Sequence, residues 1–174
     1  MVSETLRTKS ATDWQSISSL PRPNMVMCVT ARPDFRLTMQ EAIKTITSTL
    51  PEGSTGKVTH HEVDLGSLAS VKDISKKLAS TLPELHMLCF IAGIGVAPFG
   101  LTQDGLGNHF AVNHLSHFLM ADILLPKLRE TVKGPEDKSV RIVTMSSELH
   151  RTAPGESKFD SIEEMNQERD ANAL

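Results

Sequence analysis

Tyrosine is absent from all 174 residues, and the chain holds one tryptophan, six phenylalanines and two cysteines. Chemistry that needs a phenolic acid is therefore closed to this chain's own side chains. Cys28 and Cys89 stand inside apolar runs. They read as small buried hydrophobes in a reducing compartment, not as a disulfide framework or zinc site. No apolar stretch reaches the roughly 18 residues of a membrane span, and the N-terminus has no signal-peptide core. Basic excess is lacking too: the net charge is -3, which argues against a nucleic-acid partner. What is present suffices for a buried core: 39% hydrophobic and 22% charged residues, over a length suited to about one domain.

Residues 1–24 are polar, rich in Ser and Thr, and read as a loose N-terminal extension. From Met25 the pattern becomes regular. Met25–Thr30 is a short continuous apolar run, the mark of a strand buried on both faces. Met39, Ile43, Ile46 and Leu50 then repeat at helical spacing, and Pro51 ends that helix. Val58–Val63 is a strand interrupted by His60, His61 and Glu62. Ser67 can cap a helix with the stripe Leu68, Val71, Leu78 and Leu82, closed by Pro83. Leu85–Ile91 is the best-marked strand, a helix runs from about Thr102 to Arg129, and Val140–Met145 is the last strand. Residues 154–174 form an acidic, polar tail. This alternation predicts an α/β chain with a parallel sheet covered by helices on both faces, over residues 25–153.

Projected at 100° per residue, Leu106, Phe110, Asn113, His117, Ala121, Leu124 and Leu128 share one stripe of the long helix. An amide in the middle of that stripe must bond something specific, because a buried amide without a partner costs about 1–3 kcal/mol. Asn113 is thus either a packing amide or one that orders backbone or water at a site. His117 reads equally as a neutral core histidine. His109, His114 and His117 crowd the helix but lack a metalloprotease-type pattern and a nearby Cys or carboxylate cluster, so no metal site is expected and a metal-dependent hydrolase is set aside. Gly93, Gly95 and Gly100 follow a strand that is not the first, with Pro98 interrupting. They suit a small-residue strand exit better than a dinucleotide fingerprint. Ser146 and Ser147 follow the last strand, where open α/β sheets bind ligands, although ordinary loop serines stand there as well.

In combination the segments resemble the short-chain dehydrogenase/reductase family, nearest its retinol-dehydrogenase-like and WW-domain-oxidoreductase-like branch. The residues that carry the resemblance are Asp64-Leu65, Ala92-Gly93, Leu101–Gly105, Val112–Phe118, Leu124–Pro126 and Arg141–Ser147. The resemblance implies a doubly wound, Rossmann-like sheet and hydride transfer between a nicotinamide cofactor and an alcohol or carbonyl substrate. It implies that Asn113 orders a proton-relay water and that Ser147 bonds the substrate carbonyl oxygen. Asp64 and Leu65 would lie beside adenine, and Ala92 and Gly93 beside the cofactor at the strand exit. Arg32 would pair with the 2'-phosphate of NADP, favouring NADP over NAD, since a guanidinium suits a phosphate in shape and charge. A homodimer through the long helix and a cytoplasmic location are further expectations of this kind.

The departures are equally specific. Residues 1–24 contain no glycine where the family's Gly-rich turn is expected, and Phe90 and Ile91 replace two asparagines before Ala92-Gly93. The Tyr-x-x-x-Lys motif is absent, and with it the tyrosine that protonates the developing alkoxide. Losing a general acid costs about 10²–10⁴ in rate, so the chain is expected to be inactive; without the Gly-rich phosphate cradle it is also expected to bind cofactor poorly. Two readings follow: an incomplete product of an oxidoreductase (truncated gene product, splice form or fragment), or a catalytically dead relative acting as an interaction or regulatory protein. The family's first strand lies centrally in its sheet. Here the strands must either close up with a new pairing or leave apolar edges open.

Overall fold

The computed structural model describes residues 26–31, 36–48, 52, 57–95, 97–133, 139–152 and 158–167, with no side-chain description for residues 26–39 and Leu149. It has two compact units, Met1–Asp64 and Leu65–Leu174.

The first unit contains β1 (Val26–Ala31), α1 (Arg36–Ser48) and β2 (Lys57–Glu62). β1 and β2 pair in parallel from Val26↔Lys57 to Ala31↔Glu62. The histidines of β2 do not stop it from forming, because the ladder is a backbone property and β2 is only half-buried. α1 packs on β2 and buries Ile46. It ends before Pro51, as the spacing predicts.

The second unit contains α2 (Leu68–Thr81) and β3 (Met87–Phe90). A composite helix follows: α3 (Asn108–Phe110), a π-helical turn (Ala111–Leu115) and α4 (Ser116–Val132). β4 (Arg141–Thr144), a 3-10 turn (Glu148–Thr152) and α5 (Ile162–Met165) complete it. Ser67 caps α2 as expected, its hydroxyl accepting from Ser70 N at 3.3 Å. The carboxylate of Asp104 takes a second free amide of that first turn, Leu68 N, at 2.8 Å. α2 then lays Val71, Ile74, Ser75 and Leu78 against α4, which contributes Ser116, Met120, Leu124, Leu128 and Thr131. The two serines lose nothing by burial: each returns its hydroxyl to its own helix, Ser75 to Val71 O and Ser116 to Val112 O.

The chain is α/β with parallel strands, as predicted, but three details differ. The long helix starts at Asn108, not Thr102. Gly105 adopts φ +72°, and Leu101 bridges Gly107 antiparallel, so residues 101–107 fold back on themselves instead of coiling. β4 is exposed along its whole length, not buried on both faces. The strands form two two-stranded parallel sheets, β1–β2 and β3–β4. No helix among the described residues is long and apolar enough to cross a membrane.

Candidate functional site

The carboxyl ends of β3 and β4 lie side by side. Their parallel register matches Phe90 with Thr144, and Met145 N donates to Phe90 O at 2.9 Å. Two residues beyond β3 come Ala92 and Gly93, both exposed. Beyond β4 come Ser146 and Ser147, also exposed. The Ser147 carbonyl accepts from His150 N at 3.1 Å and from His150 Nδ1 at 2.6 Å, which fixes the turn that follows.

Asn113 connects the helix to this end. Its Oδ1 accepts from Ile94 N at 2.8 Å, and its Nδ2 donates to Ile94 O at 3.0 Å. A polar partner was expected; burial was not found, for Asn113 is exposed. The π turn explains the difference. Ser116 N bonds Ala111 O, five residues back, and both residues are buried. One extra residue per turn shifts the phase of the stripe, so a straight 100° projection fails across it. Gly93 fits this clamp: a Cβ there would lie 3.1 Å from Asn113 Oδ1.

Residues not singled out as a group by the sequence hold the rest of the strand exit. Asn108 Nδ2 donates to Pro98 O at 3.0 Å, and Asn108 N donates to Gly100 O at 2.8 Å. His109 Nε2 meets Gly95 O at 2.8 Å. Asn166 bridges the turn before α3, donating to Gly105 O and accepting from Gly107 N, both at 2.7 Å. A sequence signal for the element that presents Asn166 did exist. Ser161 and Glu164 give the Ser-x-x-Glu pattern of a helix start: the hydroxyl accepts from Glu164 N at 3.1 Å, and the carboxylate accepts from Lys158 N and Asp160 N in the preceding segment.

His117 is buried and stacks on Phe90, ring centroids 4.8 Å apart. Burial holds its pKa below the ordinary histidine value; a bond to the Asn113 backbone opposes that, and His114 adds to it. It is the neutral core histidine the sequence allowed. Burial pushes the Cys89 thiol up, as suits an inert half-buried cysteine. Among the described residues no cluster of His, Cys, Asp or Glu could hold a metal ion.

The other cofactor candidates fall in or at the edge of the first unit. Asp64 is exposed after β2, at the end of the first unit; Leu65 is half-buried and begins the second. Arg32 lies outside the described residues.

Comparison with known proteins gives a family. The short chain dehydrogenase model matches residues 34–156. Mouse retinol dehydrogenase 14 is 36% identical over 112 residues, covering 64% of this chain and 31% of that protein. Human polyprenol dehydrogenase is 33% identical over 152 residues, covering 76% of this chain and 46% of that protein. The chain thus spans about a third to just under half the length of these relatives. Among solved structures, a short chain dehydrogenase/reductase from Burkholderia phymatum in complex with NAD has a TM-score of 0.55 at 17% identity, covering 83% of this chain and 47% of that one. A short chain dehydrogenase from Burkholderia cenocepacia in complex with NADP has 0.53 at 19% identity, covering 73% and 47%. At such identities the likeness speaks for the fold.

Proposed function

The chain belongs to the short chain dehydrogenase family, and from that premise we propose that the carboxyl ends of β3 and β4 are the remnant of a nicotinamide-dependent alcohol/carbonyl oxidoreductase site. The observation that carries this reading is the Asn113–Ile94 clamp, which fixes the exit of β3 beside the serines that follow β4. Small exposed residues, Ala92 and Gly93, leave backbone open to a flat ligand there. When bound, the cofactor supplies or takes up the hydride. The chain's own part is positional. Ala92 and Gly93 would border the cofactor, Asp64 and Leu65 its adenine, and Arg32 a 2'-phosphate, which favours NADP over NAD. Ser147 would hold the substrate oxygen by a hydrogen bond. The side-chain amide of Asn113 is already bonded to Ile94, so its proposed ordering of a relay water would act mainly through the backbone it holds.

No residue of this chain is a tyrosine, so the proton that completes carbonyl reduction has no phenolic source here. We therefore expect no turnover from the 174-residue chain, and weak cofactor binding because residues 1–24 offer no glycine for a phosphate-cradling turn. The absence of tyrosine equally favours a second reading, a catalytically inactive relative that acts by interaction. Backbone NMR titration with NADP and with NAD tests the site. Shifts at Ala92, Gly93 and Ile94, and at Asp64 and Leu65, are expected at about millimolar ligand; none at all would refute the cofactor site. Ketone reduction above a blank would refute the expected inactivity.

A further inference from the structure

His109 has a hydrogen-bonding pattern that one protonation state satisfies. Its Nε2 faces Gly95 O at 2.8 Å and its Nδ1 faces Asn108 Oδ1 at 3.0 Å. The orientation of the Asn108 amide is fixed by its other partners. Its Nδ2 donates to Pro98 O at 3.0 Å, and its Oδ1 accepts from His109 N at 2.9 Å. Turning the amide over would set oxygen against the Pro98 carbonyl and NH₂ against an N–H. Both ring nitrogens therefore face oxygen acceptors. A neutral imidazole has one N–H and can meet only one of them; an imidazolium donates to both.

We propose that His109 is a proton-dependent fastener: as the imidazolium it ties the exit of β3 at Gly95 to Asn108 and the start of the helix, and on losing its proton it releases one of the two bonds. The fastener adjoins the Asn113 clamp, so the backbone from Gly93 to Gly95 is held by one constant attachment and one that depends on pH. The ionisable groups on the neighbouring elements are these. The described part of the exit carries no ionisable side chain between Gly93 and Gly100. Asp104, in the turn before α3, accepts from Leu68 N. Glu164, on the segment docked at Gly105 and Gly107, accepts from Lys158 N and Asp160 N. On the same helix, His114 packs against Phe110 and Phe118, and His117 is buried against Phe90; the protonation of His117 is separated from that of His109 by the His109→Gln arm below. The consequence for a cofactor at Ala92 and Gly93 rests on the function proposed above; the fastener itself does not.

Ring-nitrogen NMR of the ligand-free protein, with amide exchange at Ile94 and Asn108, tests the proposal from about pH 5 to about pH 8. Protons on both His109 nitrogens are expected at the acid end. The protection factors at Ile94 and Asn108 are expected to fall about tenfold as the pH rises. His109→Gln keeps one neutral donor and should make protection independent of pH. His109→Phe should give the low protection throughout; should that variant not fold, the His109→Gln arm still decides. A singly protonated His109 at the acid end, or a pH dependence unchanged in His109→Gln, would overturn the proposal. Because no cofactor is present, a failed NADP titration leaves this result standing.

Discussion

The Asn113 amide and the Ile94 backbone close a ring of two hydrogen bonds across a sequence separation of 19. The sequence marked Asn113 as a polar residue in an apolar stripe, but the partner was not legible, since nothing local links residues that far apart. Asn113→Leu would leave Ile94 N–H and C=O without their side-chain partner. We expect a loss of about 1–2 kcal/mol in denaturant unfolding, with faster amide exchange at Ile94. A change below that size would mean that the Asn113–Ile94 clamp contributes little to stability. His117 gives a second expectation. Its folded pKa is lowered, so the unfolded chain binds the proton more tightly. Its contribution is complete above the unfolded value of about 6.5 and is lost as the pH falls through the folded value. Urea midpoints should decline on acidification, and His117→Phe, which keeps a ring against Phe90, should flatten that slope.

At the scale of elements, helices α1 and α2 were legible because their stripes and stop signals are local: Ser67 caps and Pro83 follows the last turn. The composite helix was read too long at its start because Thr102–Leu106 carries an apolar residue in phase. The decisive fact there is Gly105 at positive φ, a backbone choice that composition permits but does not require. The 158–167 segment was read as polar tail because acidic composition outweighed one Ser-x-x-Glu signal. Its docking is open to a direct check. A Cβ on Gly107 would lie 3.0 Å from the Met165 carbonyl oxygen, and backbone cannot yield as a flexible side chain does. Gly107→Ala should detach the Asn166 bridge, cost about 1 kcal/mol and open residues 158–167 to limited proteolysis. Unchanged proteolysis would mean that the segment is held by something other than this contact.

For the whole molecule, alternation of strands and helices gave the α/β class, whereas the grouping of strands depended on pairing between distant segments. Parallel sheets are normally covered on both faces. β4 is exposed along its length, with Ile142 at 46% and Val143 at 45%. Ile142→Lys should lower self-association measured by light scattering while leaving far-ultraviolet circular dichroism unchanged; equal scattering would exonerate this strand. The arrangement of strands has an arithmetical consequence. Among the described residues, four strands in one open sheet would have two rims, but the same four dealt into two pairs have four. An uncovered rim, such as one beside the exposed β4, can template a foreign strand. Dilution, more than temperature, should then govern how long this polypeptide stays monodisperse.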